Sequence, residues 1–150
     1  MLSERITNTL DVNAVRSGAL EGFNIRLLYD GISGRASRVE DGIYLPSFLQ
    51  NILPQSHNRI LGSNFSIEKS LMEKINGFDE EYAGPGLGED ADIQFRLELL
   101  GVPLRSVKHR AIQYHLYHQR TRESDENKIL FAQKKKTGVP FCKNGLTKSA

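Results

Sequence analysis

Nine consecutive residues, Gly84-Pro85-Gly86-Leu87-Gly88-Glu89-Asp90-Ala91-Asp92, set three glycines directly ahead of three carboxylates. A glycine has no Cβ, so a ligand can approach its backbone closely. A carboxylate in the first turn of a helix accepts from unpaired N–H groups and is held in one orientation. That combination suits a sugar hydroxyl. A carboxylate within hydrogen-bond reach takes the proton as the hydroxyl attacks, a contribution of roughly 10²- to 10⁴-fold. Asp90 is placed for that role, with Gly86, Gly88 and Asp92 lining the ligand. The same spacing also suits a plain helix start, with Asp90 as cap and Glu89 and Asp92 complementing the dipole. A Ca²⁺ loop over 79–92 is disfavoured, because its oxygen ligands do not fall at alternate positions.

A second group with ligand chemistry is Tyr114-His115-Leu116-Tyr117-His118. A neutral imidazole is a common metal ligand, and Mn²⁺ accepts mixed nitrogen and oxygen donors. In an extended segment the two histidines point to opposite faces, so only one enters a given site unless the chain turns. The alternative is a partly buried histidine with an ordinary hydrogen-bond partner. His57 and His109 receive no role. Lys134-Lys135-Lys136 suits the negative end of a helix dipole and could also touch anionic lipid.

The elements that must position these groups are uneven in clarity. A short helix is expected over 11–20, a strand over 23–29, a loop over 31–42 and a short helix from Pro46 to the stop at Pro54. Residues 60–66 suit a strand. Ser66 then caps a helix whose Ile67, Leu71 and Ile75 share a face and which Asn76-Gly77 ends. After the loop 78–88, Glu89 opens a helix with Ile93, Leu97 and Leu100 on one face, stopped by Gly101 and Pro103. Residues 104–117 favour one or two strands, broken by Lys108-His109-Arg110. Ser124 caps an amphipathic helix carrying Ile129, Leu130 and Ala132, and a loose tail follows.

Composition bounds the function. The chain has 150 residues, 39% hydrophobic and 25% charged, which is ordinary globular composition. Twenty basic against 18 acidic residues give a net +2, too balanced for a nucleic-acid-binding face. The single cysteine, Cys142, forms no internal disulfide, so a reducing compartment is the default. Without a leader or a spanning segment, the expected location is cytoplasmic, at most peripheral on the inner face of a membrane.

Taken together, Leu61-Gly62-Ser63-Asn64-Phe65-Ser66, Asn76-Gly77-Phe78-Asp79-Glu80 and Gly88-Glu89-Asp90-Ala91-Asp92-Ile93 with Arg96-Leu97 resemble the C-terminal half of family-2 glycosyltransferases. They are also similar to the galactosyltransferase C-terminal domain. The order of the pieces is specific, and it covers about 59–119, with an echo in Cys142-Lys143-Asn144-Gly145-Leu146. The resemblance implies an α/β fold: a partial GT-A-type mixed sheet flanked by helices, lacking the N-terminal nucleotide-binding strands. Residues 1–58 would be a connector, 59–122 the acceptor and catalytic-base region, and 123–150 a C-terminal helix and tail.

Carried over residue by residue, the resemblance makes Asp90 the base of an inverting transfer from a nucleotide sugar to a glycan or lipid-linked acceptor. Glu89 would bind the acceptor, and Asn64 would lie beside the sugar. His115 or His118 would hold Mn²⁺ or Mg²⁺ in the complete enzyme. Two departures stand out: the glycine loop lacks its usual aromatic, and Ala91 replaces an acid. Nothing matches the family's Asp-x-Asp motif. The chain therefore reads as a fragment, a split-gene product or a mis-started frame, inactive alone or completed by a separate donor-binding chain. The competing reading is a non-catalytic module that binds glycan or a partner.

Overall fold

The structure, a computed structural model, describes residues 13, 16–18, 25–37, 45–50, 59–84, 88–107, 109–115, 117–119 and 124–148. Its helices are α1 Ile25–Ile32, α2 Ser47–Gln50, α3 Lys69–Lys74, α4 Glu89–Leu99 and α5 Asp125–Thr137. No strand is formed among the described residues, where the β-pairing is an isolated antiparallel bridge between Asn144 and Lys148. The chain divides into two compact units, one of residues 1–56 and 107–120, the other of residues 57–106 and 121–150.

In the first unit, α1 replaces most of the strand expected over 23–29. Ile25, Leu28 and Ile32 are spaced three and four apart, a helical stripe that outweighs the short apolar run within it. The helix ends in a turn in which Arg35 N–H and Ala36 N–H donate to the Asp30 carbonyl at 2.8 and 2.9 Å. Gly34 takes the left-handed φ of 72° that this turn requires. The helix expected from Pro46 is present as α2. Of the helix expected over 11–20, Asn13 and Arg16 are helical and most of the rest lies outside the described residues. No strand forms among the described residues of 104–117, while the break expected around His109 is a turn (φ 64°), with Arg110 and Ala111 N–H on the Val107 carbonyl.

The second unit is built on Ile60, Ile75, Ile93 and Leu97, with Phe65, Ile67, Leu71, Met72, Val102 and Leu104 packed against them. Ile67, Leu71 and Ile75 thus share one core as their spacing implies, although Ile67 precedes α3 and Ile75 is its C-cap. The helix starts later than expected. Glu68, not Ser66, is its N-cap, and it makes no side-chain cap bond. Residues 60–66 form no strand; Asn64 N–H donates to the Leu61 carbonyl at 2.8 Å and closes a turn.

Both α3 and α4 end in the same hydrogen-bonded motif. Gly77 N–H reaches the Met72 carbonyl and Asn76 N–H the Glu73 carbonyl; Val102 reaches Leu97 and Gly101 reaches Glu98. Asn76 and Gly101 supply the left-handed residue, at φ 63° and 69°. Leu100 sits at the C-cap of α4 and is exposed rather than on the core face. Ser124 caps α5 as expected, accepting from Asn127 N–H at 3.3 Å. That helix packs through Phe131, edge-to-face on Phe95, and not through Ile129, which is exposed.

The tail is docked, not loose. Asn76 is 2% exposed and spends all its amide capacity on it. Its Nδ2 donates to the carbonyls of Cys142 and Thr147, both at 2.8 Å. Its Oδ1 accepts from Thr147 N–H at 2.8 Å and Thr147 Oγ1 at 3.0 Å. Gly145 lies so close that a Cβ would overlap the Asn76 carbonyl and sit 2.8 Å from Cys142 Sγ.

Overpacking and a stranded buried amide each cost about 1–3 kcal/mol. Gly145→Ala is therefore expected to lower unfolding free energy by at least about 2 kcal/mol in urea. Lys143→Ala, on an exposed neighbour, should stay within about 0.5 kcal/mol of the parent.

Candidate functional site

The second unit holds the carboxylates. Gly88 is the N-cap of α4, and its carbonyl accepts Asp92 N–H at 3.1 Å. Asp90, partly exposed in the first turn, accepts Ala91 N–H on Oδ1 at 2.7 Å and Gly62 N–H on Oδ2 at 3.3 Å. Both oxygens are thus held by backbone donors, and each keeps a lone pair for a further partner. A Cβ at Gly62 would lie 3.5 Å from the Cβ of Asp90, an ordinary van der Waals contact, so the approach does not depend on a glycine there. Glu89 is exposed beside it. Asn64 is half-buried in the turn that follows Gly62. Gly86 lies outside the described residues.

Asp92 does not join this group. It is 0% exposed, with Oδ2 2.7 Å from Arg96 Nε and Oδ1 accepting from Tyr82 Oη at 3.3 Å. Helical geometry explains the correction. Residues two apart on a helix point about 200° apart, so if Asp90 faces the edge, Asp92 faces the core. Burial raises the Asp92 carboxyl above the ordinary value, against the lowering effect of Arg96. Burial, then the Asp92 charge, likewise holds the Tyr82 phenol far above its usual range.

Arg96 is itself 2% exposed, and its Nη1 donates to the Ile75 carbonyl at 2.6 Å. It therefore ties α4 to the end of α3. Among the described residues its Nη2 has no hydrogen-bond partner.

A second ion pair fixes the approach to the glycine loop. Lys134 of α5 donates to buried Asp79, and to Glu81 at 2.6 Å. Asn127 Oδ1 accepts Ala83 N–H at 3.2 Å, and Glu80 N–H donates to the Asn144 carbonyl at 2.9 Å. Residues 79–83 are thus gripped from α5 and from the tail. Sequence reading missed these anchors because Asn76-Gly77 reads as a helix stop and Lys134 as one of three dipole lysines.

In the first unit, His115 Nε2 and His118 Nε2 lie 2.9 Å apart, both side chains exposed. The rings are near parallel at 24° with centroids 5.0 Å apart, so they meet nitrogen to nitrogen rather than face to face. They converge instead of pointing to opposite faces, because the segment is not a strand. One ring donates and the other accepts. The pair offers two nitrogen donors, a partial set suited to Mn²⁺ and unlike the oxygen shell Mg²⁺ prefers. No group of three possible ligands occurs among the described residues.

Residues 48–119 match the family model described as the N-terminal domain of galactosyltransferase. The match spans Asn64, Asp90 and both histidines and gives the chain a glycosyltransferase-type domain, which points to glycosyl transfer. It supports that class without supporting the family-2 assignment or the place of the segment in a longer enzyme. No curated protein and no solved structure matches the chain.

Arg96→Ala leaves the Asp92 carboxylate buried without its partner, and is expected to cost about 3–5 kcal/mol in chemical denaturation. Arg96→Met with Asp92→Leu should recover most of that loss. Burial alone would lower the Lys134 ammonium, but the hydrogen bonds and charges of Asp79 and Glu81 outweigh it and raise it above 10.5. A raised lysine stabilises fully below its ordinary value and stops doing so as pH climbs through the raised one. The destabilisation by Lys134→Met is therefore expected to be constant from about pH 7, where Asp79 and Glu81 are ionised, up to 10.5 and to shrink above it. Urea titrations of both proteins across that range measure it.

Proposed function

We propose that this chain carries the acceptor side of an inverting glycosyltransferase that uses a nucleotide sugar and a glycan or lipid-linked acceptor. The observation that carries the reading is the Asp90 carboxylate, fixed at the edge of α4 by the Gly62 and Ala91 N–H groups. A carboxylate so held is preorganised for proton transfer. The acceptor hydroxyl gives its proton to Asp90 as its oxygen bonds to the anomeric carbon. The bond from that carbon to the nucleoside diphosphate breaks, and its electron pair leaves with the diphosphate.

Glu89, exposed beside Asp90, hydrogen-bonds acceptor hydroxyls, whereas Gly88, expected to line the sugar, is buried as the N-cap of α4 and supports the helix start instead. Asn64 belongs to the turn that presents Gly62. Asp92 has a supporting role only: it holds Arg96 and Tyr82. His115 and His118 are the residues that would hold Mn²⁺, whose chemistry is to neutralise charge on the departing diphosphate. A GT-A-type mixed sheet would supply the donor side of the complete enzyme. No helix among the described residues is long and apolar enough to cross a membrane.

In the enzyme that contains this chain, Asp90→Asn is expected to reduce sugar transfer by about 10²- to 10⁴-fold while acceptor affinity stays within about threefold. Turnover by coupled nucleotide release and affinity by calorimetry read the two effects separately. Unchanged turnover would refute the base role. A loss confined to affinity would favour a glycan-binding module.

A further inference from the structure

The chain leaving α5 carries a pattern that the carboxylate site does not use. Residues 131–143 contain four lysines and no acid. Lys134 is withdrawn by its pairing with Asp79 and Glu81, which leaves Lys135, Lys136 and Lys143, all exposed. Lys135 lies over the Phe131 ring at 4.7 Å and has no ion pair among the described residues. The acids that the docked tail brings near are already engaged, Glu80 by Lys148 and Glu81 by Lys134. Among the described residues, three cations within nine residues thus have no ion-pair partner.

Beside them stand two apolar side chains that are about half exposed. Val139 is 54% exposed and Phe141 45%. Burial alternates along this stretch: Val139, Phe141 and Lys143 are exposed, Pro140 is half-buried, and Cys142 is buried beneath the Asn76 carbonyl. Cys142 is pinned inward, its N–H donating to the Ile75 carbonyl, while Val139, Phe141 and Lys143 on either side of it stay exposed. The segment is also fixed at both ends, by the left-handed Gly138 that stops α5 and by the Asn76 clasp.

We propose that this segment, Val139 and Phe141 framed by Lys135, Lys136 and Lys143, is a docking surface for a bilayer carrying anionic lipid. The charges answer the negative headgroups, and the two apolar side chains enter the boundary between headgroup and acyl chain. Lysines at a helix end also satisfy the helix dipole, but the dipole gives no reason for Val139 and Phe141 to face water. The surface stands independently of the transferase reading. Its geometry adds what the lysine run alone lacked: Lys134 drops out, and Lys143 with two apolar anchors comes in.

Co-sedimentation of the full chain with phosphatidylcholine vesicles, with and without about 30% phosphatidylserine, tests the surface at low salt. Binding is expected only with the anionic lipid and should weaken steeply as salt rises. Lys136→Gln and Lys143→Gln should each lower the partition coefficient roughly fivefold. Phe141→Ser should lower it about tenfold, and Val139→Ser by a smaller factor. Lys74→Gln, an exposed lysine at the end of α3, should change nothing. The substituted side chains are all exposed, and circular dichroism checks that each variant is folded. Absence of binding to the anionic vesicles, equal binding to both kinds, or binding indifferent to all four substitutions overturns the proposal.

Discussion

The carboxylate unit is organised around one buried guanidinium. Arg96 holds Asp92 on its own helix and the Ile75 carbonyl at the end of α3, which fixes α4 against the residue where α3 stops. The next residue, Asn76, clasps the C-terminal segment. One charged group therefore couples the helix that carries Asp90 to the turn on which the tail is docked. A buried ion pair of this kind costs desolvation, and its best-attested benefit is to specify one arrangement. Here that arrangement turns Asp90, two residues from Asp92, to the edge.

The same arrangement explains a division of labour among acids of similar sequence context. Asp79 and Asp92 are buried and paired with Lys134 and Arg96, so they serve the scaffold. Asp90 is held by neutral N–H groups and remains open to a ligand. Asp92 is enclosed by Arg96 and Tyr82 out of a ligand's reach, whereas Asp90, oriented by backbone donors, is partly exposed. The segment between them, 79–83, is fastened from α5 and from the tail, which anchors the entry to the glycine loop.

Legibility in the sequence followed how local the cause was. Helix ends were readable because their causes lie within a turn: Gly101 and Asn76 adopt left-handed φ, and Ser124 caps α5. The position of Asp90 in the first turn of α4 was readable for the same reason. Long-range anchors were not. Asn76 bonds to Thr147, 71 residues away, and Lys134 to Asp79, 55 residues away, and neither pairing leaves a local mark. The burial of Asp92, expected to line the ligand, was not read from the sequence; in α4 it lies on the inward face with Ile93, Arg96 and Leu97. Extended readings at 23–29 and 60–66 failed because a short apolar run does not separate strand from helix or turn.

The most direct test is a structure of the full chain bound to an acceptor oligosaccharide. An acceptor hydroxyl is expected within about 2.6–3.2 Å of an Asp90 carboxylate oxygen, with Glu89 on a neighbouring hydroxyl and Asp92 still buried on Arg96. A sugar seated elsewhere, or one that reaches Asp92 by displacing Arg96, would contradict the account.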